Sequence, residues 1–317
     1  MAASASNTTT VQYPICIDGD NIYCDDTKLK DHLTHDFHYN ENDADRIIEQ
    51  ITRHIEQHSL SDDFWWSAAE EMSTEAIRVL LHSIEYSQVI YMLSYQHREE
   101  YTALNWCAAY NRYEVIKVIL DSVSGEECYQ LLSITDYDGR TPLHESCWQG
   151  DTESVKLMLN RINQDMRYSL LQMASGRGDT PLHLALYNRH TDVMNVVHDS
   201  VTQTQWINLL QMNGDGEMTV LQEAAYCNHQ SYVDTIRDSV SDEEWIKLLS
   251  TPIPEYNQRI HSYRSDYWRA VDMIDELRAA ARVKSVLQTE NNSGMLYCHN
   301  PLWDFSKVLY DRLLVRG

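Results

Sequence analysis

Fourteen histidines and seven cysteines are the side chains best able to hold a metal or attack a substrate, so their spacing comes first. His32, His35 and His38 recur at every third residue beside Asp31 and Asp36, and His54 and His58 stand one helical turn apart. Zinc needs about four converging ligands, each held by hydrogen-bond partners of its own. Residues three and six apart do not all share one helical face. The run therefore reads as a solvated polar segment, and no metal is expected. Cys147 follows His144 by three residues, the spacing of a thiolate–imidazole pair on a helix. It also falls in a row of small residues suited to packing, where a buried thiol stays protonated and inert. The packed reading is favoured.

The remaining chemistry is absent. There is no Gly-x-x-x-x-Gly-Lys-Ser/Thr loop to cradle phosphate, no Gly-x-Gly-x-x-Gly turn and no Gly-x-Ser-x-Gly elbow. The carboxylates scatter as a solvated, solubilising surface. No catalytic residue, no cofactor and no enzymatic activity are expected. The cysteines at 16, 24, 107, 128, 147, 227 and 298 form no Cys-x-x-Cys pair. That is the usage of a reduced, cytoplasmic chain whose thiols act as small hydrophobes. Sequons at Asn7 and Asn291 are chance matches on that reading.

Charge narrows the partners. The 317 residues carry 25 basic and 48 acidic side chains, a formal net charge of −23. Nucleic-acid binding draws its affinity from Lys and Arg on phosphates, and anionic membranes select the same residues. Nucleic acid and lipid surfaces therefore fall to the bottom of the list, and no nucleic-acid partner is expected. The exception is residues 256–317, which hold 9 basic and 7 acidic side chains. No stretch approaches the roughly 18 apolar residues of a membrane span, and the first ten residues show no secretory pattern.

The elements that must position these residues follow a period of 39. Thr-Pro-Leu-His stands at 141–144 and again at 180–183. The same register gives Thr102-Ala-Leu-Asn105 before it and Thr219-Val-Leu-Gln222 after it, with Asp63-Phe-Trp-Trp66 opening the series. Each start leads into small residues, a polar or Gly break, and a stripe such as Val155, Leu157, Met158 and Leu159 at helical spacing. Thr caps a first helix, and Pro at its first position loses no hydrogen bond. Positions 124, 163, 202 and 241 are Ser, Asn, Thr and Ser, again 39 apart, and three head capping boxes with Glu127, Gln205 and Glu244. Each copy therefore gains a short third helix.

These starts, breaks and stripes resemble the ankyrin repeat, over roughly residues 60–255. The resemblance implies an all-α, ankyrin-type helical solenoid of five copies, its paired helices supplemented by the third. Thr102, Leu104, Thr141, Pro142, Leu143, His144, Thr180, Pro181, Leu182, His183, Thr219 and Leu221 match the repeat signature. It implies that His144 and His183 tie their turns to the neighbouring copy. Asn105 and Gln222 depart but keep hydrogen-bonding side chains, whereas Trp66 marks a capping copy. The fifth, eighth and ninth residues of each first helix, counting Thr as one, are expected to be exposed on a concave face. Among them Trp106, Tyr110, Glu145, Trp148, Gln149, Tyr187, Asn188, Glu223 and Tyr226 are expected to bind a partner. Aromatics set among carboxylates suit a protein or peptide carrying Lys and Arg. Trp148, Tyr187 and Tyr226 would form a ladder.

The flanks read as caps. In 1–59 a tail precedes a small hairpin over 13–24 and an amphipathic helix from Asp43 to His58. In 256–317, Asp266–Leu287 is helical, Glu290–Gly294 breaks it, and Pro301–Leu314 is a last helix; 258–261 is a decayed sixth copy. The expected function is a monomeric, non-catalytic adaptor or scaffold. Self-association is a second reading. The abrupt end at Arg316-Gly317 leaves room for a third, the cytosolic segment of a channel or receptor.

Overall fold

A computed structural model of the chain describes residues 13–18, 21–58, 64–96, 100–255 and 264–292. The readings for residues 1–12, 258–261 and 301–314 fall outside them. Strands β1 (Ile15–Asp18) and β2 (Asn21–Cys24) pair antiparallel, Ile15 against Cys24, as the alternation across 13–24 predicts. Their apolar side, Ile15 and Ile22, is buried. Next comes α1 (Asp26–His35), a helix that the apolar pattern does not announce, because only Leu29 and Leu33 mark its buried side. Asp25 caps it by accepting the Lys28 N–H. Helix α2 (Glu41–Gln57) buries Ile47, Ile48, Ile51 and His54 on one face.

The repeats then run in register. The first copy folds as α3 (Phe64–Glu71), α4 (Thr74–His82) and α5 (Tyr86–Ser94). The second is α6 (Ala103–Ala109), α7 (Tyr113–Asp121) and α8 (Gly125–Leu132). The third is α9 (Pro142–Gln149), α10 (Thr152–Asn160) and α11 (Gln164–Gln172). The fourth is α12 (Pro181–Tyr187), α13 (Thr191–Ser200) and α14 (Gln203–Leu210), and the fifth is α15 (Val220–Tyr226), α16 (Gln230–Asp238) and α17 (Asp242–Ser250). The first helices α3, α6, α9, α12 and α15 each begin 39 residues after the one before. The third helices form where their caps predict. Ser124 with Glu127, Thr202 with Gln205 and Ser241 with Glu244 all close capping boxes.

The chain divides into two compact units, Met1–Leu170 and Leu171–Gly317. In the first, α3 packs on α6 and α6 on α9, while α4, α7 and α10 form a second row. Leu80, Leu104, Ile116, Leu143 and Met158 are fully buried between the rows. In the second unit, α12 packs on α15 and α13 on α16, around Leu182, Met194, Leu221 and Ile236. Helix α18 (Arg264–Asn292) covers α15 and α17 in that unit. It runs through Glu290, so the break expected there does not form before Asn292. Of its anticipated stripe only Ile274 is buried, joined by Tyr267 and Ala270, while Val271, Leu277 and Ala281 are half-buried. Arg278 donates from Nε to the Leu249 carbonyl at 2.6 Å and from Nη2 to that of Thr251 at 2.9 Å. Those carbonyls end α17 and have no intrahelical donor, so the guanidinium serves as their cap.

The candidate partner-binding face

The first helices of the second to fifth copies, α6, α9, α12 and α15, are each capped by a Thr. Thr141 accepts the His144 N–H, and its hydroxyl lies 2.8 Å from His144 Nδ1; Thr180 and His183 repeat the 2.8 Å contact. In the second copy Asn105 Nδ2 donates to the Arg140 carbonyl at 3.1 Å, tying its turn to the next copy. Gln222 Nε2 does the same for the Thr251 and Pro252 carbonyls, at 3.1 and 3.0 Å. These two departures from histidine keep the inter-turn bond. Burial holds the His183 imidazole neutral, well below the usual histidine range.

One expectation is corrected here. The fifth residue of each first helix is buried, not exposed: Trp106, Glu145, Leu184 and Glu223 are 9, 5, 1 and 7 % accessible. The eighth and ninth positions remain accessible. Trp148, Tyr187 and Tyr226 are half-buried, while Gln149, Asn188 and Tyr110 are exposed. The Trp106 and Tyr110 rings stack with centroids 4.6 Å apart, so the tyrosine is a ledge over a buried indole.

In the first unit the buried acid has a cation beside it. Arg140 Nη1 donates to Glu145 Oε1 at 3.3 Å, and its guanidinium lies 5.2 Å from the Trp148 ring centroid. Burial raises the Glu145 pKa, and Arg140 pulls it back down. The loop below is held by Asp136 Oδ1, which accepts the Asp138 and Arg140 N–H groups at 2.9 Å each. Gln149 Nε2 donates to the Ala109 carbonyl at 2.8 Å.

The second unit has the same acid without the arginine. The residue 39 after Arg140 is Asp179, and 39 further on is Met218. Asp179 is buried, and its Oδ1 accepts the Tyr187 hydroxyl and the Asp215 N–H at 3.0 Å each. Among the described residues Glu223 has the Cys227 thiol, 3.8 Å from Oε1, as its one hydrogen-bond donor. Its pKa is pushed up to about 7, first by burial, then by Asp179 and Asp215, with Cys227 opposing. Burial, followed by Glu223 and Asp179, also raises the Tyr187 phenol. No cationic side chain among the described residues forms an ion pair with Glu223.

Arg140 and Asp179 lie outside the residues that the repeat signature marks, because they precede its Thr. A signal for them exists in the sequence: that position reads Tyr101, Arg140, Asp179 and Met218 across the copies, opposite Trp106, Glu145, Leu184 and Glu223. Charge at two linked repeat positions is what distinguishes it.

Among the described residues no helix is long and apolar enough to cross a membrane. A family model for three copies of ankyrin repeats matches residues 65–169 and 123–204. Residues 65–204 thus carry ankyrin repeats, within the all-α repeat architecture described above. Ankyrin repeats are in general protein–protein interaction modules and typically non-catalytic. Among solved structures the chain is similar to the ankyrin repeat protein EF0377, at 17% identity and a TM-score of 0.47, over 67% of this chain and 96% of that one. No curated protein matches it.

Proposed function

We propose that the chain is a non-catalytic adaptor that binds a basic protein segment along the accessible side of its first helices. The observation that carries this reading is Glu223. Its carboxyl is 7 % accessible and forms no ion pair among the described residues, while the matching Glu145 is paired with Arg140. Leaving a carboxylate buried and unpaired is costly, and a partner's Lys or Arg would relieve it. Tyr187 and Tyr226, eighth residues of their helices, supply half-buried aromatic anchors in the same unit. In the first unit Trp148, Tyr110 and Gln149 play the corresponding part.

A cytoplasmic setting fits the thiols. Cys107, Cys128 and Cys147 are buried and free, and burial pushes Cys107 up to about 12 and Cys128 up to about 11. Affinity capture from native lysate tests the function, run in parallel with wild type and Tyr187→Ala/Glu223→Gln. Proteins lost from the variant should share an exposed Lys- or Arg-rich segment. An identical set from both baits would remove the proposed face.

A further inference from the structure

We propose that His54, His58 and Glu71 form a binding site for one divalent transition-metal ion. The three side chains offer ligand atoms that all lie within 4.8 Å of one another. His54 and His58 are four residues apart at the end of α2, with ring centroids 4.6 Å apart. Glu71 is the final residue of α3 and brings Oε2 to 3.8 Å from His58 Nε2. The sequence shows the two histidines but not the carboxylate, which arrives from a different helix.

Three features go beyond proximity. First, His54 is 2 % accessible, and its Nε2 lies 2.9 Å from the Phe64 carbonyl. An imidazole that donates from Nε2 keeps its lone pair on Nδ1, and a backbone carbonyl on the far nitrogen is how metal-bound histidines are commonly oriented. The ring is also packed edge-on against Phe64, centroids 4.6 Å apart, so its plane is fixed before any ion binds. Second, α2 and α3 both present their C-terminal ends here, which carry partial negative charge and favour a cation. Third, the other two ligands can adjust. The side chains of His58 and Glu71 are 16 and 57 % accessible, so they can close by about 1 Å to the separation that ligand bonds of about 2.0–2.2 Å require.

The donor set chooses the ion. Two imidazoles and one carboxylate suit zinc and its neighbours in the first transition row, whereas calcium and magnesium take oxygen ligands. Three protein ligands leave one position of a tetrahedral ion to water. Bound there, the ion would join the capping helix α2 to the first helix of the repeats. The His32, His35 and His38 run is not part of the site. His32 Nδ1 lies 2.5 Å from Asp36 Oδ2, and His35 Nδ1 lies 3.0 Å from the Asp31 carbonyl.

Calorimetric titration of zinc chloride into the chelator-treated full-length chain tests the site, alongside thermal unfolding with and without the ion. About one ion should bind per chain, with micromolar or tighter affinity and an upward shift of the midpoint. Glu71→Gln changes an accessible side chain and should unfold like wild type without metal; it and His58→Ala, whose side chain is 16 % accessible, should each bind zinc at least about tenfold more weakly. His35→Ala should bind as wild type does. Cobalt(II) in place of zinc should give the visible absorption of a tetrahedral site, lost in His58→Ala. Absence of binding, millimolar binding unchanged in both variants, or loss of binding in His35→Ala would each overturn the proposal.

Discussion

Glu145 and Glu223 occupy the same position of two repeats, both buried, but only Glu145 has an arginine 3.3 Å away. The repeat supplies the acid twice and the cation once. Residue 140 is Arg, whereas the residue that follows it by two periods is Met218, itself buried. Equivalent helices thus hold a closed ion pair in the first unit and an open carboxyl in the second.

Arg140→Met should make the third copy resemble the fifth. Glu145 would be left buried without its cation, a change that costs about 3 kcal/mol in comparable sites, less here because the arginine is partly accessible. The loss should be larger at pH 8 than at pH 5, where the carboxyl can take up a proton. Urea midpoints at the two values check this.

The raised Glu223 pKa fixes the sign of a pH effect. With a folded value of about 7 against an ordinary 4.5, the folded chain holds this proton where the unfolded chain has released it. Stability from this group therefore falls as pH rises from 4.5 to 7 and is flat beyond. Glu223→Gln removes the slope. Relative to wild type, the variant should gain up to about 3 kcal/mol between pH 4.5 and pH 8, since each tenfold change in proton affinity is worth about 1.4 kcal/mol. A difference between the two proteins that does not change with pH would mean the carboxyl is solvated.

Leu143 and Thr141 separate packing from capping in one helix. Both are fully buried. Leu143→Ala should cost roughly 2–5 kcal/mol through the cavity it opens. Thr141→Ala should cost about 1 kcal/mol through the lost cap. Denaturant titrations ranking Thr141→Ala as the worse would contradict this packing.

Gly214 is held to glycine by its neighbours. A Cβ there would sit 2.7 Å from His183 Cδ2 and 2.9 Å from Asp179 Oδ1. Gly214→Ala should therefore destabilise by about 1–3 kcal/mol, the usual cost of overpacking. It should also disturb Asp179, and with it the phenol of Tyr187. Thermal unfolding together with the tyrosine absorbance titration would register both effects.

The periodic features are legible in the sequence because each is local. Thr, Pro and Leu at fixed offsets specify a cap and one buried face, and Ser124, Thr202 and Ser241 specify the third helices by their own capping boxes. What stays hidden depends on neighbours outside the window. The burial of Glu145 and Glu223 runs against the expected exposure because the groups around them, Arg140, Asp136 and Asp138 in one case and Asp179 and Asp215 in the other, come from the turns and not from the helix pattern. Helix α1 has too few apolar residues to announce itself, and Glu71 meets His58 only after α3 folds beside α2. A repeat register says which residues are equivalent, not which are covered.

The most direct test of the basic-partner reading is the affinity of the captured partner for wild type and Glu223→Gln at pH 6 and pH 8. A group titrating near 7 is about tenfold more ionised at pH 8 than at pH 6, and a cation that pairs only with the ionised form gains affinity in proportion. Wild-type binding should therefore strengthen by up to about tenfold between these values. The variant should bind weakly at both, with a flatter dependence on salt. Equal affinity of the two proteins at pH 8, or wild-type binding unchanged between pH 6 and pH 8, would contradict a partner cation at Glu223.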